Sequence, residues 1–143
     1  MNKKLRIEVL KSKVRRVVDL LEIIRVHLPK DYANFKKSRM VKDAVYKEVE
    51  TAVEYILDIC NVINSDLGLG MPEKEEDIFD NLGRDGILSA EKVKLIKNMK
   101  KFRNILVHRY GEIDDELAFE TIKDGLDDFK KIILDIEKFV DKR

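Results

Sequence analysis

Apolar residues return at alternating steps of three and four in long stretches of this chain, and two prolines and a few glycines punctuate them. Ile7, Leu10, Val14, Val17, Leu21, Ile24 and Leu28 form one such row, which predicts a helix over residues 3–28 that Pro29 ends. After a short connection at 31–35, Val41, Val45, Val49, Ala52, Ile56, Ile59 and Ile63 predict a second long helix over 36–64, with Val53 and Cys60 beside the stripe. Residues 65–72 read as a loop. Residues 73–83 read as a short helix carrying Ile78, Phe79 and Leu82, closed at Gly83. Ser89 is a good N-cap for a helix over 90–109 that should stop at Gly111. A last helix follows Asp114-Asp115 and buries Phe119, Ile122, Leu126, Phe129, Ile133, Ile136 and Val140, with an unexplained Gly125 inside it. Short connections between such helices make an all-α, up-and-down bundle of four long helices and one short one. The breaks at Pro29 and Pro72 argue against a single long coiled coil.

The 143 residues suit one domain, 1–143, with a core of its own. The charged fraction of 40% exceeds the usual level of about 25% and fits long solvated helices. A lone cysteine rules out an internal disulfide framework, and no uninterrupted apolar stretch suggests a signal peptide or membrane span. A cytoplasmic location, with no membrane partner, is the expectation. The net charge of +1 conceals an asymmetry: residues 1–47 hold 14 Lys/Arg against five Asp/Glu, and residues 91–110 hold seven basic residues against Glu91 alone. Such a distribution is what a polyanion would select, although a solvated helix face explains it as well.

Chemistry concentrates in residues 103–110, Arg-Asn-Ile-Leu-Val-His-Arg-Tyr. His108 is one of two histidines, and an imidazole beside a fixed positive charge suits chemistry on a phosphodiester. With Arg103 at 0° on a helical wheel, Leu95, Met99, Phe102, Ile105 and Leu106 fall between about 200° and 320°, the expected core face. Asn104 and His108, four apart, are surface neighbours, so the amide is placed to orient the imidazole. Arg103 and His108 are five apart, about 140° around the helix, and do not converge on one atom. Val93, Ile96 and Val107 share the polar arc. A two-fold dimer packing that arc on its copy would bury them and bring both residues of both chains into one cleft. His27 at the end of the first helix and Cys60 read as structural.

The spacing Arg103, four residues, His108, one residue, Tyr110 resembles the HEPN superfamily, and within it the HepT-like toxin branch. Asn104 supplies the polar residue that usually follows the arginine there. Asp43-Ala44-Val45-Tyr46, Asp58-Ile59-Cys60, Gly86-Ile87-Leu88 and Met99 are similar to the family as well, so the likeness covers nearly the whole chain. The resemblance implies a five-helix-type bundle that dimerises through the motif helix, and a metal-independent endoribonuclease in many members. It also implies a toxin–antitoxin pair, in which a small nucleotidyltransferase antitoxin, MntA, modifies the motif tyrosine, here Tyr110, with AMP.

RNA brings its own nucleophile, the 2′-OH, so cleavage needs a base, an acid and positive charge on the phosphorane. His108 is the expected proton-transfer group and Arg103 the phosphate ligand, with Asn104 supporting. Lys97, Lys100, Lys101 and Arg109 are the expected contacts to RNA, whether tRNA or mRNA. No metal-ligand cluster, Gly-rich phosphate loop or Ser-His-Asp arrangement is legible. Gly68-Leu69-Gly70 follows a helix rather than a strand, so neither metal nor cofactor is expected. The alternative is an inactive HEPN module that binds a nucleotide or the nucleotidyltransferase.

Overall fold

The computed structural model describes residues 4–143, which form six α-helices and one 3-10 turn with no strand among them. The helices are α1 (Ile7–His27), α2 (Tyr32–Lys37), α3 (Arg39–Leu67), α4 (Glu75–Arg84), α5 (Ala90–His108) and α6 (Asp115–Asp141); the 3-10 turn is Tyr110–Glu112. The all-α bundle is as expected. Residue 3, where the first helix was expected to begin, lies outside the described residues. No helix is long and apolar enough to cross a membrane among those described.

α3 is the central helix, and thirteen of its residues are buried. α1 lies antiparallel on it, and the pairing is charged at the rim: Arg6 meets Asp66 at 3.0 Å, Lys13 meets Asp58 at 2.5 Å, and His27 Nδ1 meets Glu48 at 2.7 Å. The basic N-terminal segment therefore answers carboxylates of its own chain at several points, which reduces its value as a free polyanion surface. His27, read from its position as structural, joins α1 to α3 through this contact.

Several boundaries differ from the sequence reading for local reasons. The stretch expected to connect the first two long helices holds α2, because Asp31 caps it by accepting a hydrogen bond from the Asn34 N–H at 2.9 Å. α3 begins at Arg39, where the Ser38 hydroxyl accepts from the Val41 N–H. It runs to Leu67, three residues beyond the expected end, and stops at Gly68, which takes a left-handed conformation (φ 60°, ψ 43°). Gly83 does not close α4. It lies inside the helix, where a Cβ would stand 2.9 Å from Val93 Cγ2, so its missing side chain lets α4 and α5 approach. The positive φ falls at Gly86 instead. α5 ends at His108, with Arg109 as the capping residue rather than Gly111, which lies in the 3-10 turn.

The core contains the apolar rows expected of α1, α3, α4 and α6. α5 is the exception, and it carries the motif. Val93 and Ile96, expected on the polar arc, are buried, while Ile105, expected in the core, is 41% exposed. The buried sector of α5 is turned toward Arg103, because α5 packs on both α3 and α4 and touches α6 only lightly. Leu95, Met99 and Phe102 instead form one wall of an apolar groove of about 280 Å³, with Ile122, Leu126 and Phe129 of α6 opposite. A Cβ on Gly125 would meet nothing within 4 Å.

Candidate functional site

The motif occupies the last turns of α5 and the 3-10 turn after it. Ser89 starts the helix by accepting from the Lys92 N–H at 3.3 Å, and Glu91 supplies negative charge near its N-terminus. The helix ends on His108, and the Arg109 N–H closes the last turn on the Ile105 carbonyl at 3.0 Å. Two polar side chains of basic type thus stand at the negative end of the helix dipole.

Arg103 does not avoid the packed side of α5, as the helical wheel suggested. It lies on that side, with its side chain 20% exposed between α3 and α4. Its terminal nitrogens stand 3.9 Å from Glu54 Oε1 and 3.8 Å from Glu75 Oε1. Both are charge contacts too long to be hydrogen bonds. Its Nε is buried and has no hydrogen-bond partner among the described residues. The guanidinium is held by packing and loose electrostatics, with its donors uncommitted.

His108 is exposed at the end of the helix, and Asn104 is half-buried. No hydrogen bond joins them among the described residues. Within one chain Arg103 faces the α3–α4 side while His108 faces outward, so the structure does not bring the two together.

The lysines expected to bind RNA divide into two groups. Lys97 donates to Asp80 at 2.6 Å. Lys100 binds Glu75 at 3.3 Å and also pairs with Glu76, both in the first turn of α4. Burial disfavours the charged form of Lys100, but those two carboxylates outweigh it and raise its pKa. These two lysines fasten α5 to α4. Lys101 and Arg109 are exposed and remain available to a polyanion.

Tyr110 begins the 3-10 turn, 42% exposed, and its hydroxyl donates to Asp43 of α3. That hydrogen bond raises the tyrosine pKa, with partial burial and the carboxylate charge adding to it. Its ring stands edge-on to Tyr46 at 6.4 Å between centroids. Tyr46 is buried and donates to Asp115 Oδ1 at 2.6 Å, while Lys42 holds Asp115 Oδ2 at 3.1 Å. Because α5 runs antiparallel to α3, Arg103 faces Glu54 and Tyr110 faces Asp43. The two partners are eleven residues apart on α3, roughly 16 Å of helix.

Glu54 and Glu75 carry no expected role, Asp43 entered only within the family-like stretch 43–46, and Asp115 only as a candidate N-cap of the last helix. Nothing local marks the two glutamates. Asp43 had a legible signal: Arg39, Lys42, Asp43 and Tyr46 follow one another at helical spacing, a polar face at the start of an otherwise apolar helix.

Comparison with known proteins gives a consistent result. The family model described as Ribonuclease HepT-like matches residues 17–136. The mRNA nuclease HepT of Shewanella oneidensis is 29% identical over 103 residues, covering 72% of this chain and 77% of the relative. A putative RNase of Archaeoglobus fulgidus is 28% identical over 106 residues, covering 74% and 80%. Among solved structures, the tri-AMPylated Shewanella oneidensis HEPN toxin in complex with MNT antitoxin superposes with a TM-score of 0.83 at 25% identity, over 91% of this chain and 97% of that one. A Bacillus subtilis cytosolic protein of unknown function, YutE, shares the fold with a TM-score of 0.74 at 18% identity, over 92% and 91%.

Proposed function

We propose, from the premise that this chain belongs to the Ribonuclease HepT-like family, that it is the toxin endoribonuclease of a toxin–antitoxin pair. Its antitoxin is a MntA-like nucleotidyltransferase that silences it by AMP transfer to Tyr110. The observation that carries the reading is the state of Arg103, a packed guanidinium with no hydrogen bond of its own among the described residues, in a chain whose motif keeps His108 and Tyr110. A planar cation with free donors is matched to the non-bridging oxygens of a phosphodiester.

In this reaction Arg103 binds the phosphate and stabilises the charge that grows on the phosphorane. His108 takes the 2′-OH proton, and a second His108 protonates the departing 5′-oxygen. The products are a 2′,3′-cyclic phosphate and a 5′-hydroxyl, and no metal enters the scheme. Lys101 and Arg109 hold the RNA backbone, and Asn104 orients the histidine or the substrate.

The second histidine comes from a second chain. Arg103 and His108 of one chain face different ways, so a homodimer through α5 completes the site. Val93 and Ile96, once expected in that interface, are spent inside the chain. The surface left for it is Ile105 and Val107, 41% and 40% exposed, and the groove beside Phe102.

AMP on Tyr110 would place a phosphodiester and a nucleoside at the end of α5, repelling RNA and obstructing its path. The similar Shewanella oneidensis HEPN toxin, in complex with MNT antitoxin, is tri-AMPylated, which supports AMP transfer as the means of silencing.

The test is cleavage of tRNA and mRNA in EDTA by the wild type and His108→Ala, each shown by ultracentrifugation to be a folded dimer. Cleavage by the wild type alone, leaving cyclic phosphate ends, is expected. If both proteins leave RNA intact, the enzyme reading fails in favour of a binding module. Activity that EDTA abolishes and a divalent ion restores refutes the metal-independent scheme.

A further inference from the structure

The tyrosine that the proposed function assigns to AMP transfer is not a free surface phenol. Its hydroxyl rests on the carboxylate of Asp43, a residue 67 positions away that the ribonuclease chemistry does not use. Asp43 is itself held from the other side by Arg39, whose Nε lies 3.5 Å from Oδ2. One carboxylate oxygen therefore accepts the tyrosine hydrogen bond while the other is steadied by a cation.

The other three tyrosines show what is particular to this arrangement. The Tyr46 hydroxyl also donates to a carboxylate, that of Asp115, but its side chain is buried at 3% exposure and out of reach of a second protein. Tyr55 accepts a hydrogen bond from Arg16 at 3.3 Å and has no carboxylate on its hydroxyl. Tyr32 is half-buried, with its ring packed against Phe35 and Phe119. Among the described residues, Tyr110 alone joins an accessible hydroxyl to a carboxylate acceptor.

We infer that Asp43 is the proton acceptor that activates Tyr110 for nucleotide transfer and so selects it among the tyrosines of this chain. The inference rests on the proposed reading of Tyr110 as the AMP acceptor. The step balances as follows. Tyr110 Oη attacks the α-phosphorus of ATP held by the nucleotidyltransferase, and the Oη–H proton passes to the Asp43 carboxylate as the new O–P bond forms. The bond between the α-phosphorus and its bridging oxygen breaks, and pyrophosphate leaves. Nothing is oxidised or reduced. A phenol is almost wholly protonated at neutral pH, and the hydrogen bond to Asp43 holds its proton more tightly in the resting state. Removal of that proton in the transition state is then the difficulty, and a carboxylate already in contact with it supplies the base. Once the proton has moved, Arg39 and Lys42 lie beside the new phosphodiester as its counter-charges. Both cations already favour the ionised phenol electrostatically.

The experiment uses the full-length wild type, Asp43→Asn, Asp43→Glu and Tyr110→Phe, matched by circular dichroism and unfolding midpoint. Each is incubated with a MntA-like nucleotidyltransferase, magnesium and ATP labelled at the α-phosphate. Incorporation is followed between pH 6 and 9, and the site is mapped by peptide mass spectrometry. The wild type is expected to be labelled on Tyr110, and Tyr110→Phe not at all. Asp43→Asn should be labelled about 10²–10⁴-fold more slowly at pH 7, the usual worth of a positioned base. Its rate should then climb about tenfold per pH unit, because without a base the phenol must ionise first, near its ordinary pKa of about 10. Asp43→Glu should recover part of the rate and the flatter profile. Labelling of Asp43→Asn at the wild-type rate with the wild-type pH profile overturns the role of Asp43 while leaving Tyr110 as the acceptor. An unlabelled wild type, or label that persists in Tyr110→Phe, overturns the AMP reading itself and this inference with it.

Discussion

Arg103 and Glu75 stand 3.8 Å apart across the α4–α5 contact, and the same Glu75 oxygen also takes Lys100 at 3.3 Å. One carboxylate at the start of α4 thus serves two cations of the motif helix. Under the proposed function it would compete with a phosphate approaching Arg103. Glu75→Gln removes that competition and should tighten RNA binding about two- to five-fold, the worth of a partly exposed ion pair. Titration of a labelled RNA at two salt concentrations checks it. The gain should shrink as salt rises, and weaker binding by the variant would show that Glu75 positions Arg103 rather than restraining it.

Arg103→Lys separates charge from shape. Lysine keeps the positive charge but loses the fork that can grip two phosphate oxygens at once. Because Arg103 makes no hydrogen bond among the described residues, the fold should persist. Loss of a preformed donor to a developing oxyanion typically costs about 10²–10³ in kcat. Single-turnover cleavage assays should show that loss, with a much smaller change in RNA affinity. Full activity in Arg103→Lys would reduce the arginine to a generic cation.

Two glycines inside helices should respond oppositely to alanine. At Gly83 the new Cβ would meet Val93 Cγ2 at 2.9 Å, and valine is stiff about χ1 and nearly buried here. Overpacking of this kind costs about 2 kcal/mol, more than the roughly 1 kcal/mol that helix propensity returns. At Gly125 nothing lies within 4 Å, so Gly125→Ala should gain about 1 kcal/mol. Urea unfolding of the single variants measures both signs. Val93→Ala should relieve part of the Gly83→Ala loss, since residues in contact do not act additively.

The same pair shows where the sequence was legible and where it was not. The apolar rows of α1, α3, α4 and α6 all lie in the core or pack against it, so their period identified helix and buried face together. α5 has two layers against it, α3 and α4, and a groove on its third side. Its apolar residues are therefore spread around the helix, and a single stripe drawn through Leu95, Met99 and Phe102 chose the groove wall as the core. That displacement moved Arg103 onto the packed side and Lys97 and Lys100 into ion pairs with α4, none of which periodicity reports. Arg103, His108 and Tyr110 stood out because their residue types are chemically unusual for a helix end. Asp43 lies on a legible polar face of α3, but its pairing with Tyr110 was not legible, since the two are 67 residues apart and only the antiparallel packing of α5 on α3 brings them together.

Asp77 offers a pH test of how α4 is held against the motif helix. Its carboxylate accepts from the backbone N–H groups of Glu73 at 3.0 Å and Lys74 at 3.2 Å, the two donors exposed where α4 begins. Those hydrogen bonds hold its pKa below the ordinary aspartate value. A pKa lower in the folded state than in the unfolded one means that the unfolded chain binds the proton more readily. The stabilisation is therefore fully present above the unfolded value of about 3.9 and is lost as pH falls through the lower folded value. Asp77→Asn should be less stable than the wild type at neutral pH, and the difference should narrow on acidification below about pH 4. Urea midpoints of the two proteins across that range check it. A difference that stays constant down to pH 2 would show that the asparagine amide caps α4 differently, with the carboxylate charge contributing nothing.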